Sequence, residues 1–287
     1  MSEIWTIGSL LKWTEGYFND NGIETARLDA EVLLAHVLGK ERIYLYIHFD
    51  QPLQQDELVA FKACIKKRVQ RMPVAYIVGR KEFMGLDFQV NEHTLVPRPD
   101  TEILVEAAIE RLKAIKKENG IIADIGTGSG AICLSVLHYL PETRAVTVDI
   151  SEEALAVAKA NAEALEVSNR IELLQGDMLK PVKDRRFSAI LSNPPYIPDA
   201  DIEALEPEVK VYEPMGALAG GTDGLDFYRQ LTGASGELIE DGGFLAMEIG
   251  IGQAEDLLSL AEQAGCWQKT EVVKDLAGIE RVVVLWK

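Results

Sequence analysis

Along the first seventy residues, apolar side chains recur every three to four positions. Leu10, Leu11, Tyr17 and Phe18 keep helical spacing, as do Leu28, Val32, Leu33, Ala35, Val37 and Leu38 in ARLDAEVLLAHVLGK, which stops at Gly39. A further stretch, QQDELVAFKACIKKRVQRM, sets Leu58, Phe61, Ile65 and Val69 on one face and ends before Pro73. The pattern predicts a small helical bundle over residues 6 to about 72. The competing reading, a solvated tail, does not suit so many apolar faces.

The period then changes. KEFMGLDFQVN alternates around Gly85 as a hairpin would. VPRPDTEILVEAAIERLKAIKK follows, with prolines first, a helix cap expected at Asp100 or Thr101, and an amphipathic helix after it. From residue 121 short apolar strands are predicted near 121–125, 145–149, 171–175, 187–192, 243–249, 267–274 and 279–286. Helices are predicted between them near 129–139, 152–165, 226–240 and 253–264. That alternation means an α/β domain with a mostly parallel seven-stranded sheet, its last two strands paired around Asp275–Gly278. The expected organisation is a helical bundle at 1–75, a hairpin linker at 76–96 and an α/β domain at 97–287. No internal repeat or low-complexity segment is present.

Composition narrows the function. The 287 residues are 47% apolar and 26% charged, the balance of a globular protein with a sizeable core. Three separated cysteines, Cys64, Cys133 and Cys266, build neither a disulfide framework nor a zinc site, so a cytoplasmic location is expected. The four histidines are scattered and no metal site is expected. The opening MSEIWTIGSLLKW lacks the basic start and long apolar core of a secretory signal, and no apolar run reaches the length of a membrane span. A formal charge of −17 argues mildly against a grip on phosphate backbones and favours a neutral or basic macromolecular partner.

IIADIGTGSGAICLSVL reads as strand, glycine turn and helix. The loop Gly126-Thr127-Gly128-Ser129-Gly130 lets a ligand lie against bare backbone at a helix N-terminus. About 20 residues on, Asp149 ends the next strand, where a carboxylate accepts from ribose hydroxyls. The run also parses as G-x-G-x-x-A, so a dinucleotide dehydrogenase is a formal alternative. Two features favour S-adenosylmethionine. Asp124 ends the first strand, where a sulfonium or ammonium is welcome and a pyrophosphate is not. Asp177 and Met178 end a third strand and can flank an adenine. Taken alone, Asp124 and Asp177 are equally readable as caps or turn residues.

The strand SAILS ends on Asn193-Pro194-Pro195-Tyr196, at the carboxyl edge where open α/β sheets place ligands. Two prolines cannot continue a central strand, but they fix the backbone. The Asn193 side-chain oxygen and the Pro194 carbonyl can then accept from one planar NH₂ group. Its lone pair is aimed at a methyl donor, and Tyr196 offers the planar group a flat face. The bland reading is a proline turn with an incidental tyrosine.

VPRPDTEILVE, DIGTGSGAI, NPPYIP, EPMGALAGGTDGLDFYRQL, EIGIGQ and DLAGIERVV together resemble the protein-(glutamine-N5) methyltransferases of the PrmC/HemK type, from the bundle to the C-terminus. The resemblance implies a class I S-adenosylmethionine-dependent methyltransferase, Rossmann-like, whose acceptor is the glutamine of the Gly-Gly-Gln motif of class 1 peptide-chain release factors. It assigns Gly126 to Gly130, Asp149 and Asn193 to the cofactor, and Asn193 to Tyr196 to the glutamine. Many relatives carry an aromatic where this chain has Met178, whose thioether can still pack on adenine. The bundle would then grip the release factor, or else merely cap the core. Arg98 either lines the cleft or pairs with Asp100 or Glu102. Cys133 and His138 read as packing or surface residues. A monomer is expected. The alternative enzyme is an amino-methyltransferase of adenine or guanine in nucleic acid, but KKRVQR at 66–71 is the sole basic cluster of note. A non-catalytic nucleoside-binding protein would not need Asn193 to Tyr196.

Overall fold

A computed structural model describes residues 5–287. The chain begins with five helices: α1 (Ile7–Asp20), α2 (Ala26–Leu38), α3 (Arg42–Ile47), α4 (Gln55–Val69) and α5 (Val74–Val78). Thr6 and Ser9 cap α1 reciprocally, each side chain accepting from the other's N–H. Gly39 closes α2 in the left-handed conformation, φ 60°. Leu11, Phe18, Leu33, Leu34, Phe61 and Ile65 fill one core. The buried stripe of α2 matches the apolar one read from sequence at Leu33 and Ala35 but not throughout. Leu28 is 44% exposed, whereas Asp29 and Glu31 are buried. Ion pairs are the reason: Asp29 meets Arg68 at 2.7 Å, and Glu31 is held by Arg27, Arg42 and the Tyr46 hydroxyl. Tyr17 is also exposed, stacked on Trp13.

β1 (Arg80–Phe83) and β2 (Leu86–Gln89) form the expected antiparallel hairpin. Its two turn residues, Met84 and Gly85, both have positive φ (54° and 71°), the geometry that matches strand twist in a two-residue hairpin. Helix α6 (Pro99–Ala114) is capped at Arg98 and so starts earlier than expected. Pro99, preset for the first helical turn, leads it, and neither Asp100 nor Thr101 is the cap. Then come β3 (Ile121–Ile125), α7 (Ala131–Tyr139), β4 (Arg144–Asp149), α8 (Glu152–Ala164), β5 (Ile171–Gln175), β6 (Phe187–Ser192), α9 (Pro207–Tyr212), α10 (Asp226–Ala234), β7 (Ile239–Glu248), α11 (Ala254–Ala264), β8 (Lys269–Lys274) and β9 (Glu280–Trp286).

The seven-stranded sheet has the order β5-β4-β3-β6-β7-β9-β8, with only β9 antiparallel to its neighbours. Its central strands are apolar at successive positions because both faces are covered. Ile122, Ala189, Phe244 and Val282 point to a core shared with α6 and α7. Their chain neighbours Ala123, Ile190, Leu245 and Val283 point to a second core with Tyr228 and Leu231 of α10 and Leu257 of α11. The strand order reverses between β3 and β6, so the carboxyl ends of β3, β4 and β6 border one crevice.

Two boundaries differ from the sequence pattern. Helix α10 ends at Ala234, followed by a 3₁₀ turn at Ser235–Glu237, and β7 already begins at Ile239. Ser235 and Gly236 are poor helix formers, and the Phe187/Ala189 register shift marks a bulge, with Gly242 at φ 72°, that lets β7 start early. The chain also divides into two compact units. One holds the described residues through Gly79 together with Pro207–Tyr212; the other holds Arg80–Glu206 and Glu213–Lys287. In the first, Glu208 of α9 accepts from Arg68 at 2.9 Å, and the Tyr212 hydroxyl donates to the Gln70 carbonyl. Among the described residues no helix is long and apolar enough to cross a membrane.

Candidate active site

A cavity of about 400 Å³ opens in the α/β unit at the carboxyl ends of β3, β4, β5 and β6. That volume suits a nucleoside-sized ligand. Of the residues singled out above, Arg98, Gly126, Thr127, Gly128, Ser129, Asp149, Asp177, Met178, Asn193, Pro194 and Pro195 line it. Asp124, Gly130 and Tyr196 do not.

The loop after β3 turns on three left-handed glycines, with φ of 80°, 54° and 83° at Gly126, Gly128 and Gly130. Gly126 and Thr127 both donate to the Val148 carbonyl, fastening the loop to β4. Gly130 serves packing instead of ligand approach, since a Cβ there would lie 2.7 Å from Leu134 and 3.3 Å from Ala158. Asp149 sits where β4 ends. Its Oδ2 accepts from the Gly128 N–H at 2.8 Å and its Oδ1 from the Ser151 N–H at 2.9 Å. The carboxylate therefore shapes the glycine loop and keeps a further lone pair on each oxygen for a ligand.

Asp124 corrects an expectation. It is wholly buried beneath the loop, where Oδ2 accepts from the Thr127 hydroxyl at 2.9 Å and Oδ1 has no partner. Burial pushes its pKa up to about 6, partly offset by hydrogen bonds from Cys133 and Thr127. It backs the loop and is not part of the wall. Asp177 lies on the rim with Lys180 at 2.5 Å, and Met178 holds a left-handed backbone, φ 50°, while packing on the second core. Ile150, 71% exposed, also lines the cavity beside Asp149 and was missed in the sequence.

The Asn193 turn closes the far wall. Ser192 donates to the Ile125 carbonyl at 2.7 Å, tying the ends of β6 and β3 together. The Asn193 Nδ2 donates to the Thr101 hydroxyl at 3.2 Å, which leaves the amide oxygen as its uncommitted end. Tyr196 is turned away from the cavity. Its carbonyl accepts from Gln253, its ring packs on the second core, and its hydroxyl lies 3.5 Å from Glu248. Burial and the neighbouring Glu248 raise the phenol's pKa to about 12. Arg98 lines the cavity, as one alternative had it, but its ion-pair partner is neither Asp100 nor Glu102. It donates to both oxygens of buried Glu213, at 2.6 and 2.8 Å.

Glu248 is the second residue the sequence reading missed. It ends β7, is 3% exposed, and burial raises its pKa to about 7. The signal was available: an acidic residue closing the apolar run at 244–247, as Asp149 closes β4. Elsewhere, the basic run 66–71 is partly consumed within its own unit, since Arg68 is 5% exposed between Asp29 and Glu208 and Arg71 lies 3.4 Å from Glu208. Cys133 is buried and His138 is exposed. Among the described residues no group of three or more His, Cys, Asp or Glu side chains could hold a metal.

Residues 9–79 match the PrmC N-terminal domain family, and residues 100–206 match the methyltransferase small domain family. The release factor glutamine methyltransferase of Geobacter sulfurreducens is 45% identical over 284 residues, covering 98% of this chain and 96% of its own. That of Rhodopirellula baltica is 42% identical over 286 residues, covering 99% and 97%. The crystal structure of the hMettl16 catalytic domain, in complex with the MAT2A 3′UTR hairpin 6, shares the fold with a TM-score of 0.56 at 14% identity, over 80% of this chain and 81% of that one. With relatives of that identity matching along nearly its whole length, the chain belongs to the release factor glutamine methyltransferase family.

Proposed function

We propose that this protein transfers a methyl group from S-adenosylmethionine to the side-chain amide nitrogen of the glutamine in the Gly-Gly-Gln motif of class 1 release factors. The observation that carries this reading is the juxtaposition of Asn193-Pro194-Pro195 with the glycine loop and Asp149 around one cavity. A base acceptor in nucleic acid is not favoured, because whole-chain relatives carry the release-factor name and the net charge is −17. The cytoplasm is the proposed compartment, with the enzyme acting as a monomer.

The cavity fits the cofactor by the chemistry of its walls. Asp149 supplies acceptors for a ribose, Ile150 and Met178 supply apolar contact for a flat base, and acidic Asp149 and Asp177 suit a cation. When bound, S-adenosylmethionine supplies an electrophilic methyl on a positive sulfur. The chain's own work is then to hold the acceptor. An amide nitrogen is a poor nucleophile because its lone pair is delocalised. The Asn193 oxygen and the Pro194 carbonyl accept from its two hydrogens and keep it in line, while Tyr196, packed on the second core, anchors the turn from behind and gives the glutamine no face. The prolines keep both acceptors in place before the substrate arrives. The helical unit would dock the release factor away from the reaction site. Incubating purified release factor with the protein and cofactor, then sequencing the Gly-Gly-Gln peptide by mass spectrometry, tests the assignment. One added methyl on the glutamine supports it, and an unmodified glutamine contradicts it.

A further inference from the structure

Behind the Asn193 turn lies a buried polar cluster that the transfer scheme above leaves unused. Glu248 presents Oε1 to the Tyr196 hydroxyl at 3.5 Å, while Oε2 is buried with no hydrogen-bond partner. Its main-chain carbonyl accepts from the buried Tyr228 hydroxyl at 3.0 Å. Thr101, 5% exposed in the first turn of α6, accepts from Asn193 Nδ2. Neither Thr101 nor Asn193 is hydrogen-bonded to the Glu248 carboxylate, but both stand near enough that their donors pull its pKa back down against burial. The charged groups around it are Asp100 of α6, which raises it, and Arg281 of β9, which lowers it. Arg281 is itself engaged by Asp100 at 3.0 Å and Asp275 at 2.8 Å, so Glu248 has no cation of its own.

The two ends of an asparagine amide have nearly the same shape, so the surrounding hydrogen bonds decide which end faces where. Thr101 has one hydroxyl hydrogen. With Glu248 ionised, that hydrogen is drawn toward the carboxylate, and Thr101 Oγ1 can only accept from Asn193. The Asn193 NH₂ is then held inward and its oxygen faces the acceptor. With Glu248 protonated, the polarity can run the other way: the acid donates to Thr101, and Thr101 donates to the amide oxygen. Asn193 would then turn its NH₂ toward the substrate NH₂, donor against donor.

We propose that Glu248 is a positioning residue which, through Thr101, holds Asn193 with its oxygen toward the acceptor amide. The inference rests on the roles given above to Asn193 and to the glutamine. Its test is single-turnover methyl transfer to a release factor at saturating cofactor, from about pH 5.5 to 8.5, with cofactor affinity and melting temperature measured alongside. Three variants are needed: Glu248→Met, Glu248→Gln and Thr101→Val. A small misplacement of a reacting group can lower a rate about 10²-fold. Glu248→Met should lose about that much and Thr101→Val at least tenfold, with cofactor Kd and release-factor KM within threefold of the parent. Glu248→Gln can accept from Thr101 without titrating. It should recover tenfold over Met and lose the rise in rate that the parent shows through about pH 7. A folded Glu248→Met or Thr101→Val at the parental rate would overturn the proposal. So would a Gln variant that keeps the parental pH limb, or losses that fall equally on cofactor affinity and melting temperature. A parent unable to methylate the release factor would instead refute the function itself, which keeps the two failures apart.

Discussion

Replacing Asp149 by asparagine should damage cofactor binding as much as removing the side chain does. In the structure one oxygen accepts from the Gly128 N–H at 2.8 Å and the other from the Ser151 N–H at 2.9 Å. Both partners are donors. Either orientation of an asparagine amide therefore sets an NH₂ against an N–H, distorting the glycine loop or the start of α8. The variant also offers a ribose hydroxyl one acceptor in place of two. A hydrogen bond to a charged group contributes about 1.5–3 kcal/mol. With about 1.4 kcal/mol for each factor of ten, S-adenosylmethionine should bind roughly 10- to 150-fold more weakly. Asp149→Ala loses both acceptors but lets water reach the two N–H groups, so it should fall in the same range. Isothermal titration at fixed ionic strength, with circular dichroism to confirm folding, measures both. An asparagine variant within twofold of the parent, or tighter binding of NAD than of S-adenosylmethionine by the parent, would refute the reasoning.

Asn193→Ala should lower kcat about 10²–10³-fold, or roughly 2.7–4 kcal/mol, by analogy with the loss of a preorganised polar contact; Asn193→Asp should fall between Ala and the parent, and a parental rate for Ala would remove the amide-holding mechanism. Glu248→Gln should raise the melting temperature of the cofactor-free protein at pH 8 and leave it unchanged near pH 4.5. The native carboxyl titrates at about 7 against 4.5 for its ordinary value, so the native state holds the extra proton and stability drains away as pH rises between those values. A Gln variant no more stable than the parent at pH 8 would show that the carboxylate is well solvated there. Arg68→Ala should destabilise the helical unit by about 3–5 kcal/mol, because Asp29 stays buried without its cation and Glu208 loses a donor; denaturation followed at the helical signal reads this, and a loss under about 1 kcal/mol would mean water replaces the guanidinium.

The α/β sheet was legible because its strands are buried on both faces and so read as short apolar runs with glycine or acidic ends. Residues 121–125 and 187–192 need no adjustment for that reason, whereas 171–175, an edge strand with no fully buried residue, was legible from its short run of Ile171, Leu173 and Leu174. The glycine loop and Asp149 were legible too, since positive φ and a strand-end carboxylate leave marks in sequence. Burial by ion pair is less visible. Asp29, Glu31 and Arg68 look like solvated surface until their partners, up to 140 positions away in the case of Glu208, are brought alongside. The same holds for Arg98, whose partner Glu213 lies beyond the range in which a sequence neighbour would be sought. Helix α9 could not be read at all. Its six residues are too few for a periodicity, and only packing with the helical unit defines it. Asp124 was seen as a ligand-facing acid because its position at the strand end is visible, while its depth beneath Thr127 is a property of the turn.

The central claim is that the cavity wall formed by Asn193, Pro194 and Pro195 presents a glutamine amide to a methyl donor. Mass spectrometry of a release factor incubated with S-adenosylmethionine and either the parent or Asn193→Ala tests it most directly. The account predicts one added methyl on the glutamine nitrogen of Gly-Gly-Gln with the parent, and at least a hundredfold slower appearance with the variant. Methylation elsewhere on the release factor, or equal rates from parent and variant, would contradict it.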